Sequence, residues 1–492
     1  MIALLERLNG SLKARQIFDR YAPWAVIALA AFLRLWNLGY PAKLVFDETY
    51  YVKDAWTLWN TGSEKNWPAD YNANFEGGNV WGFLTDPAFV VHPPLGKWII
   101  GVGMWAFGAD NSFSWRMSTA LLGIASVGLL IVVAQMLFKS PAYALIAGFL
   151  LAIDGHAIVL SRTALLDNIL AFFALLAFYF LLRDQQNRDI SRVVWARPWL
   201  IAAGATLGAA SAVKWSGLYF LAAFGLYVVI SETLARRRAG QENWALAGFI
   251  DSGLVAFVLM VPVAIVTYIA TWSGWLIGGT GYDAKWAESN PATGIWALVP
   301  TNLQSLWHYH QEAYGFHVNL HTPHSYQSNP LTWLLATRPT SFFYEGLSEG
   351  QDGCASASGC SSAITALGNP FIWLPATAAL LFLLIWFVRQ RDRVAGLILL
   401  GIAGGYLPWL AFTSRTVFQF YSIAFLPWMI LALAYVLKIY RDLSANKRQA
   451  KAITLGYLLL VFGATLFFLP IWIGTWVPFW YWQVHMWLPS WI

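Results

Sequence analysis

The stretch Val45-Phe46-Asp47-Glu48-Thr49-Tyr50-Tyr51 follows the first long apolar run, and Val91-His92-Pro93-Pro94-Leu95-Gly96-Lys97 leads into the next one. An acidic pair at the edge of hydrocarbon is costly unless it faces water or a polar partner, so it reads first as a functional site and second as a solvated loop. Two adjacent acids allow a division of labour in which one takes a proton from a hydroxyl and the other orients a reactant. The two prolines end any preceding helix and set the turn. The helix that follows opens at the membrane interface with Lys97 in its first turn, where its N-terminus attracts an anion.

Composition makes these two stretches parts of a membrane protein. The 492 residues are 58% hydrophobic and 11% charged, against roughly 25% charged in soluble domains. Many long apolar runs predict a polytopic all-α architecture. The 29 tryptophans and 21 tyrosines suit membrane interfaces and sugar-binding clefts alike. The net charge of +6 belongs to short basic loops, and no nucleic-acid motif accompanies it. Residues 1–20 lack the apolar core and cleavage site of a signal peptide and read as a cytoplasmic amphipathic lead.

Apolar runs predict eleven spans near 22–39, 116–138, 142–160, 168–183, 199–214, 217–233, 247–272, 370–388, 394–412, 418–438 and 453–475. Residues 95–108 are apolar but short, and read as an interfacial helix. The chain 1–492 is then one membrane domain with two long polar loops, 40–115 and 273–367. The loops 183–198, 234–244, 389–393 and 438–451 carry clustered Lys and Arg. Alternation through eleven spans puts all four, with the N-terminus, on the cytoplasmic side. Both long loops then face outward, as do the turns at 161–167, 215–216 and 413–417. A cell-membrane enzyme with an extracytoplasmic site is the expectation.

Several further residues on that outward side carry potential chemistry. Arg116, Arg162, Lys214 and Arg415 form a set of cations at span ends, suited to a phosphate leaving group; Lys97 and His92 join them from the His-Pro-Pro turn. Asp167 reads as a structural partner for Arg162, and Asp154 as an acid within a span that needs Arg162 or His156. Neutral donors and acceptors crowd Asn319 to Pro330; His324 and Gln327 there suit a sugar or phosphate. His308-x-His310 and His317-x3-His321 have metal-like spacing, but only Glu312 stands near as an acid, so no metal is assigned. Cys354 and Cys360, the two cysteines of the chain, read as a small-loop disulfide in an oxidising compartment.

These landmarks together resemble the protein O-mannosyltransferase family of GT-C glycosyltransferases, over nearly the whole chain. Phe46-Asp47-Glu48 resembles its acidic motif, His92-Pro93-Pro94-Leu95-Gly96-Lys97 its His-Pro-Pro-Leu motif, Arg162 to Asp167 its Arg-x-x-Leu-Leu-Asp stretch, and Lys214-Trp215-x-Gly217 its Lys-Trp motif. The resemblance implies transfer of mannose from polyprenyl-phosphate-mannose to Ser or Thr hydroxyls of exported proteins. It implies Asp47 as general base and Glu48 as its partner in the site, with His92 and Lys97 shaping the donor end. The donor lipid is a substrate, and no cofactor is implied. A Ser/Thr-containing polypeptide is the acceptor, with an export translocon as a candidate partner.

Two departures from the eukaryotic pattern make the chain resemble the smaller bacterial, actinobacterial-type members. Segment 273–367 is too short for the β-trefoil (MIR) domain of eukaryotic members, and Val90 stands where they often carry an acid. Asp47 is expected to be ionised at neutral pH among its cations. A related enzyme moving another lipid-linked sugar to a lipid or polysaccharide is the alternative. A transporter or flippase would place its acids and broken helices near the bilayer midplane, whereas these motifs sit at span ends.

Overall fold

The computed structural model describes residues 12–188 and 194–492. Glu6, Arg7 and the loop residue Arg192 lie outside them. Among the described residues, six helices are long and apolar enough to cross a membrane: Ser112–Phe138, Leu166–Asn187, Gly217–Arg238, Trp244–Thr271, Pro370–Gln390 and Lys447–Ile473. The bent pair Pro141–Ile153 and Gly155–Ser161 makes a seventh if it counts as one span. Leu12–Leu35, Pro198–Val213, Arg393–Gly405 and Leu426–Leu443 complete the bundle. Leu95–Phe107 has 13 residues, about 20 Å of helix, and packs beside Glu48–Thr61 and Ser112–Phe138.

Buried polar contacts decide where the helices end. The Pro141–Ile153 helix stops at Asp154, and the chain turns by 61° into Gly155–Ser161. The Asp154 carboxylate accepts from Ala157 N (3.1 Å), Asn369 N (3.0 Å) and Trp373 Nε1 (3.0 Å). Those bonds cap the short helix and tie the break to the Pro370–Gln390 helix. Asp154 thus bonds neither the Arg162 nor the His156 side chain; backbone N–H groups and the Trp373 indole satisfy it instead. Arg34, buried in the first helix, donates to Ala152 O (3.0 Å) and Leu151 O (3.1 Å), closing the C-terminal end of Pro141–Ile153. Gly204 and Gly208 let Pro198–Val213 approach Val255–Thr271 closely. A Cβ at Gly208 would stand 2.4 Å from Ala264 O, and one at Gly204 2.7 Å from Met260 Cα. This is the small-residue packing by which helices associate in lipid.

The sequence expectation of a purely helical chain is corrected by a small antiparallel sheet. Ser341–Leu347 pairs with Cys360–Thr365, which pairs with Val477–Pro478. Its strands are too short and too mixed in polarity to stand out beside 20-residue apolar runs. The sheet ties the second polar segment to the C-terminal tail, and a disulfide joins Cys354 to Cys360 at the start of the central strand.

Candidate active site

The site begins with a backbone turn at Phe46. Its φ is +49°, a left-handed conformation that costs an ordinary residue about 1–2 kcal/mol. Ring packing offsets the cost: Phe46 stacks on Phe342 (5.1 Å) and meets Phe418 and Phe420 edge-on. The turn delivers Asp47 to the start of the Glu48–Thr61 helix, where its side chain caps nothing. Asp47 is half-buried. Burial pushes its carboxyl up to about 6, while Lys214 pulls it down and Asp167 pushes it up. Burial therefore outweighs the cations expected to dominate it. The group remains mainly ionised at neutral pH and is a stronger base than a surface aspartate.

Glu48 has the opposite surroundings. It is fully buried and bonded to Arg116 through Nε (2.8 Å) and Nη2 (2.8 Å). It also accepts from Val45 N and Ala164 N. The remaining Arg116 N–H groups go to Leu38 O, Pro41 O and Lys43 O. The expectations that Glu48 works beside Asp47 on substrate and that Arg116 binds phosphate are corrected: both are committed to each other and to backbone. Arg162 likewise donates to Leu33 O, Arg34 O, Trp36 O and Asn37 O. It closes the carbonyl end of the first helix, so it neither faces a phosphate nor pairs with Asp167. Lys97, expected at the donor end, is buried and bonded to Glu64 Oε1 (2.5 Å) and His92 O (3.0 Å).

The cations that do face open space are Lys214 and Arg415. With His92, Trp215, Tyr314 and His317 they line a cleft of about 210 Å³ that sets cationic and imidazole groups among aromatic rings. Lys214 pairs with Asp167 Oδ1 (2.8 Å) and lies 3.6 Å over the Tyr421 ring. Arg415 Nη2 contacts His317 Nδ1 at 2.9 Å, and His317 Nε2 contacts Val91 O at 3.0 Å. The carbonyl requires a proton on Nε2, so Nδ1 accepts from Arg415 and the ring is neutral. Burial first, then Arg415, pushes His317 down to about 4. His92, 5.3 Å from His317 between ring centres, is held well below the ordinary range by burial and by Lys214. Arg415 Nε is buried without a hydrogen-bond partner among the described residues. An orphaned guanidinium N–H at the wall of such a cleft is a donor waiting for an anion.

An apolar groove of about 730 Å³ adjoins the cleft, sharing Trp215 and Tyr314 and lined further by Leu218, Leu221, Ala264 and Ile265. A charged headgroup and an apolar chain would thus find neighbouring environments. His324 and Gln327 form one turn instead of a ligand pair: Gln327 Oε1 accepts from His324 N (3.2 Å), and His324 Nδ1 from Tyr326 N (3.1 Å). The His324 ring meets Phe46 edge-on at 5.9 Å, which supports the turn that presents Asp47. The metal-like histidine spacings are not realised as pairs. His310 bonds Tyr268 OH (2.6 Å), and His321 bonds Ser414 O (3.0 Å).

Sequence reading missed Tyr51, Tyr421 and Asp54. Tyr51 follows Asp47 by one helical turn and its ring lies 6.1 Å from His92. Asp54, two turns on, is pushed up to about 7 by burial, with Lys97 pulling down and Glu64 pushing up. The i+4 and i+7 spacings from Asp47 are the signals that place both on its helical face.

Comparison with known proteins gives the family of the chain. The family described as dolichyl-phosphate-mannose-protein mannosyltransferase matches residues 24–278, and the C-terminal four-span region of protein-O-mannosyltransferase matches residues 302–491. A polyprenol-phosphate-mannose–protein mannosyltransferase of Mycolicibacterium smegmatis is 33% identical, over 96% of this chain and 94% of its own. One from Mycobacterium tuberculosis is 30% identical, over 96% and 92%. The fold is similar to the S. cerevisiae protein O-mannosyltransferase Pmt1-Pmt2 complex bound to the sugar donor. There the TM-score is 0.73 at 16% identity, covering 98% of this chain and 93% of that one. Motifs, bundle and full-length similarity converge, and the chain belongs to the dolichyl-phosphate-mannose-protein mannosyltransferase family.

Proposed function

We propose that this chain transfers mannose from polyprenyl-phosphate-mannose to Ser or Thr hydroxyls of polypeptides on the extracytoplasmic side of the cell membrane. The observation that carries the reading is a half-buried Asp47 whose carboxylate carries no hydrogen bond among the described residues and is coupled to Lys214, a lysine that lines a cleft whose cations adjoin an apolar groove. The lipid lies along the groove through Trp215, Leu218 and Tyr314, and its phosphate meets Lys214 and the free N–H of Arg415. His92 and His317, neutral, contribute hydrogen bonds without further charge.

The acceptor oxygen attacks the anomeric carbon, and its proton passes to Asp47. The bond from that carbon to the phosphate oxygen breaks, and its electron pair leaves with polyprenyl phosphate. A phosphate is a good leaving group, so this displacement needs no acid on the departing side and calls for no cofactor. Lys214 and Arg415 stabilise the charge that develops there, and positioning supplies much of the remainder.

The topology that fits this reading has eleven crossings. They are the six long apolar helices, the bent pair as one, and Leu12–Leu35, Pro198–Val213, Arg393–Gly405 and Leu426–Leu443. The N-terminus is cytoplasmic, Leu95–Phe107 lies at the outer interface, and an export translocon delivers the acceptor.

The test uses membranes holding the wild type or Asp47→Ala, supplied with labelled polyprenyl-phosphate-mannose and a Ser/Thr-rich peptide. Label on the peptide with wild type only is the expected result. Label on lipid or glycan instead would move the acceptor class. No transfer by an intact, donor-binding wild type would overturn the mannose assignment.

A further inference from the structure

We infer that Asp283, His308 and Glu312 form a divalent-cation site of the zinc class on the second polar segment, apart from the cleft of Lys214 and Arg415. His308 Nε2 lies 3.5 Å from Asp283 Oδ2 and 3.5 Å from Glu312 Oε1. One ligand atom from each residue falls within 4.8 Å of the other two. A separation of 3.5 Å is longer than a good N–H···O hydrogen bond. It is close to the edge of a tetrahedron built on zinc bonds of 2.0–2.1 Å, about 3.3 Å. Two of the three separations thus match ligand spacing, and the third lies within 4.8 Å, a gap that a small side-chain adjustment closes around a common centre.

The surroundings favour that reading over a solvated ion pair. His308 and Glu312 are one turn apart on the Thr301–Val318 helix and share a face. The Trp286 ring lies flat on the imidazole, with centres 3.9 Å apart and planes 8° apart, which fixes the direction of Nε2. The side chains keep 20–36% of their exposure, so a cation can enter and water can complete the shell. One imidazole with two carboxylates is a mixed nitrogen and oxygen set suited to Zn²⁺.

The consequence is mechanical. Asp283 stands on the segment before the short Trp286–Ser289 helix. A cation there fastens that segment to the Thr301–Val318 helix, which carries Trp307, His310 and Tyr314 on the wall of the apolar groove. The site holds the wall in place and takes no part in the displacement at Asp47.

The test is metal uptake by the purified full-length protein in detergent, independent of any transfer assay. Protein stripped with EDTA is titrated with ZnCl2 by calorimetry, and its thermal unfolding is followed in parallel. The expected result is stoichiometric binding with a raised unfolding temperature, both lost or weakened at least about tenfold in His308→Ala and Glu312→Gln. Glu312→His, which keeps a ligand atom, is expected to retain zinc, and this covers the case where a truncating variant fails to fold. No uptake of Zn²⁺ by the folded wild type would overturn the inference and leave His308 as a side chain beside two acids. Equal uptake by folded His308→Ala, or loss of zinc in folded Glu312→His, would overturn it as well.

Discussion

Glu48 and Arg116 are joined by two 2.8 Å hydrogen bonds in a site closed to solvent, one residue from an Asp47 whose carboxylate carries no hydrogen bond among the described residues. The adjacent acids thus divide into a structural anchor and a reactive group. Removing one partner of a buried pair leaves the other charged and unpaired, at a cost of about 3–5 kcal/mol. Glu48→Gln and Arg116→Met are therefore expected to lower the thermal unfolding temperature and the yield of folded protein. A wild-type melting curve with lost transfer would instead put Glu48 on the substrate.

Asp47→Asn should behave in the reverse way. Its carboxylate carries no hydrogen bond among the described residues, so melting stays near the wild-type value. Loss of a general base lowers turnover by about 10²–10⁴-fold, with the KM for donor lipid little changed. Steady-state kinetics on the purified variant checks both halves.

The same residue sets the pH profile. Asp47 acts when deprotonated, and its carboxyl is raised to about 6. Transfer should be flat above neutrality and fall as pH drops through about 6, with a slope of one proton. His317, held near 4, does not titrate in that window. Asp54, raised to about 7, is the competing source of an acidic limb. Asp54→Asn should leave the limb in place; its disappearance in that variant would transfer the base assignment to Asp54.

Arg415 and Lys214 line one cleft but should respond differently to truncation. Arg415 lines the cleft and carries an Nε with no hydrogen-bond partner among the described residues, and a charge-assisted hydrogen bond contributes about 1.5–3 kcal/mol. Arg415→Ala is expected to raise the donor KM about tenfold or more in a stably folded protein. Lys214→Ala strands the buried Asp167 and should also lower the melting temperature.

Gly208→Val tests the close helix crossing. The added Cβ meets Ala264 O at 2.4 Å, and backbone cannot yield as a flexible side chain can. Overpacking of this kind costs about 1–3 kcal/mol, readable as a lower melting temperature without a change in the pH profile.

The identity of the protein was legible in local sequence. Apolar runs near 20 residues announce helices because a membrane leaves no other partner for their backbone groups. The acidic pair, the His-Pro-Pro turn and the Lys-Trp turn fall at the ends of those runs, so their common location could be argued before any packing was known. Which of these charges are free to act was decided by the tertiary structure alone. Arg116, Arg162, Lys214 and Arg415 look alike as cations at span ends. Two of them are consumed by a buried carboxylate and by the open carbonyls of helix ends, groups brought within reach by folding across 68 and more than 120 positions of chain. A buried donor or acceptor must be satisfied, and only three-dimensional packing determines which residue satisfies it and which, like Asp47 and Arg415, is left with capacity for a substrate.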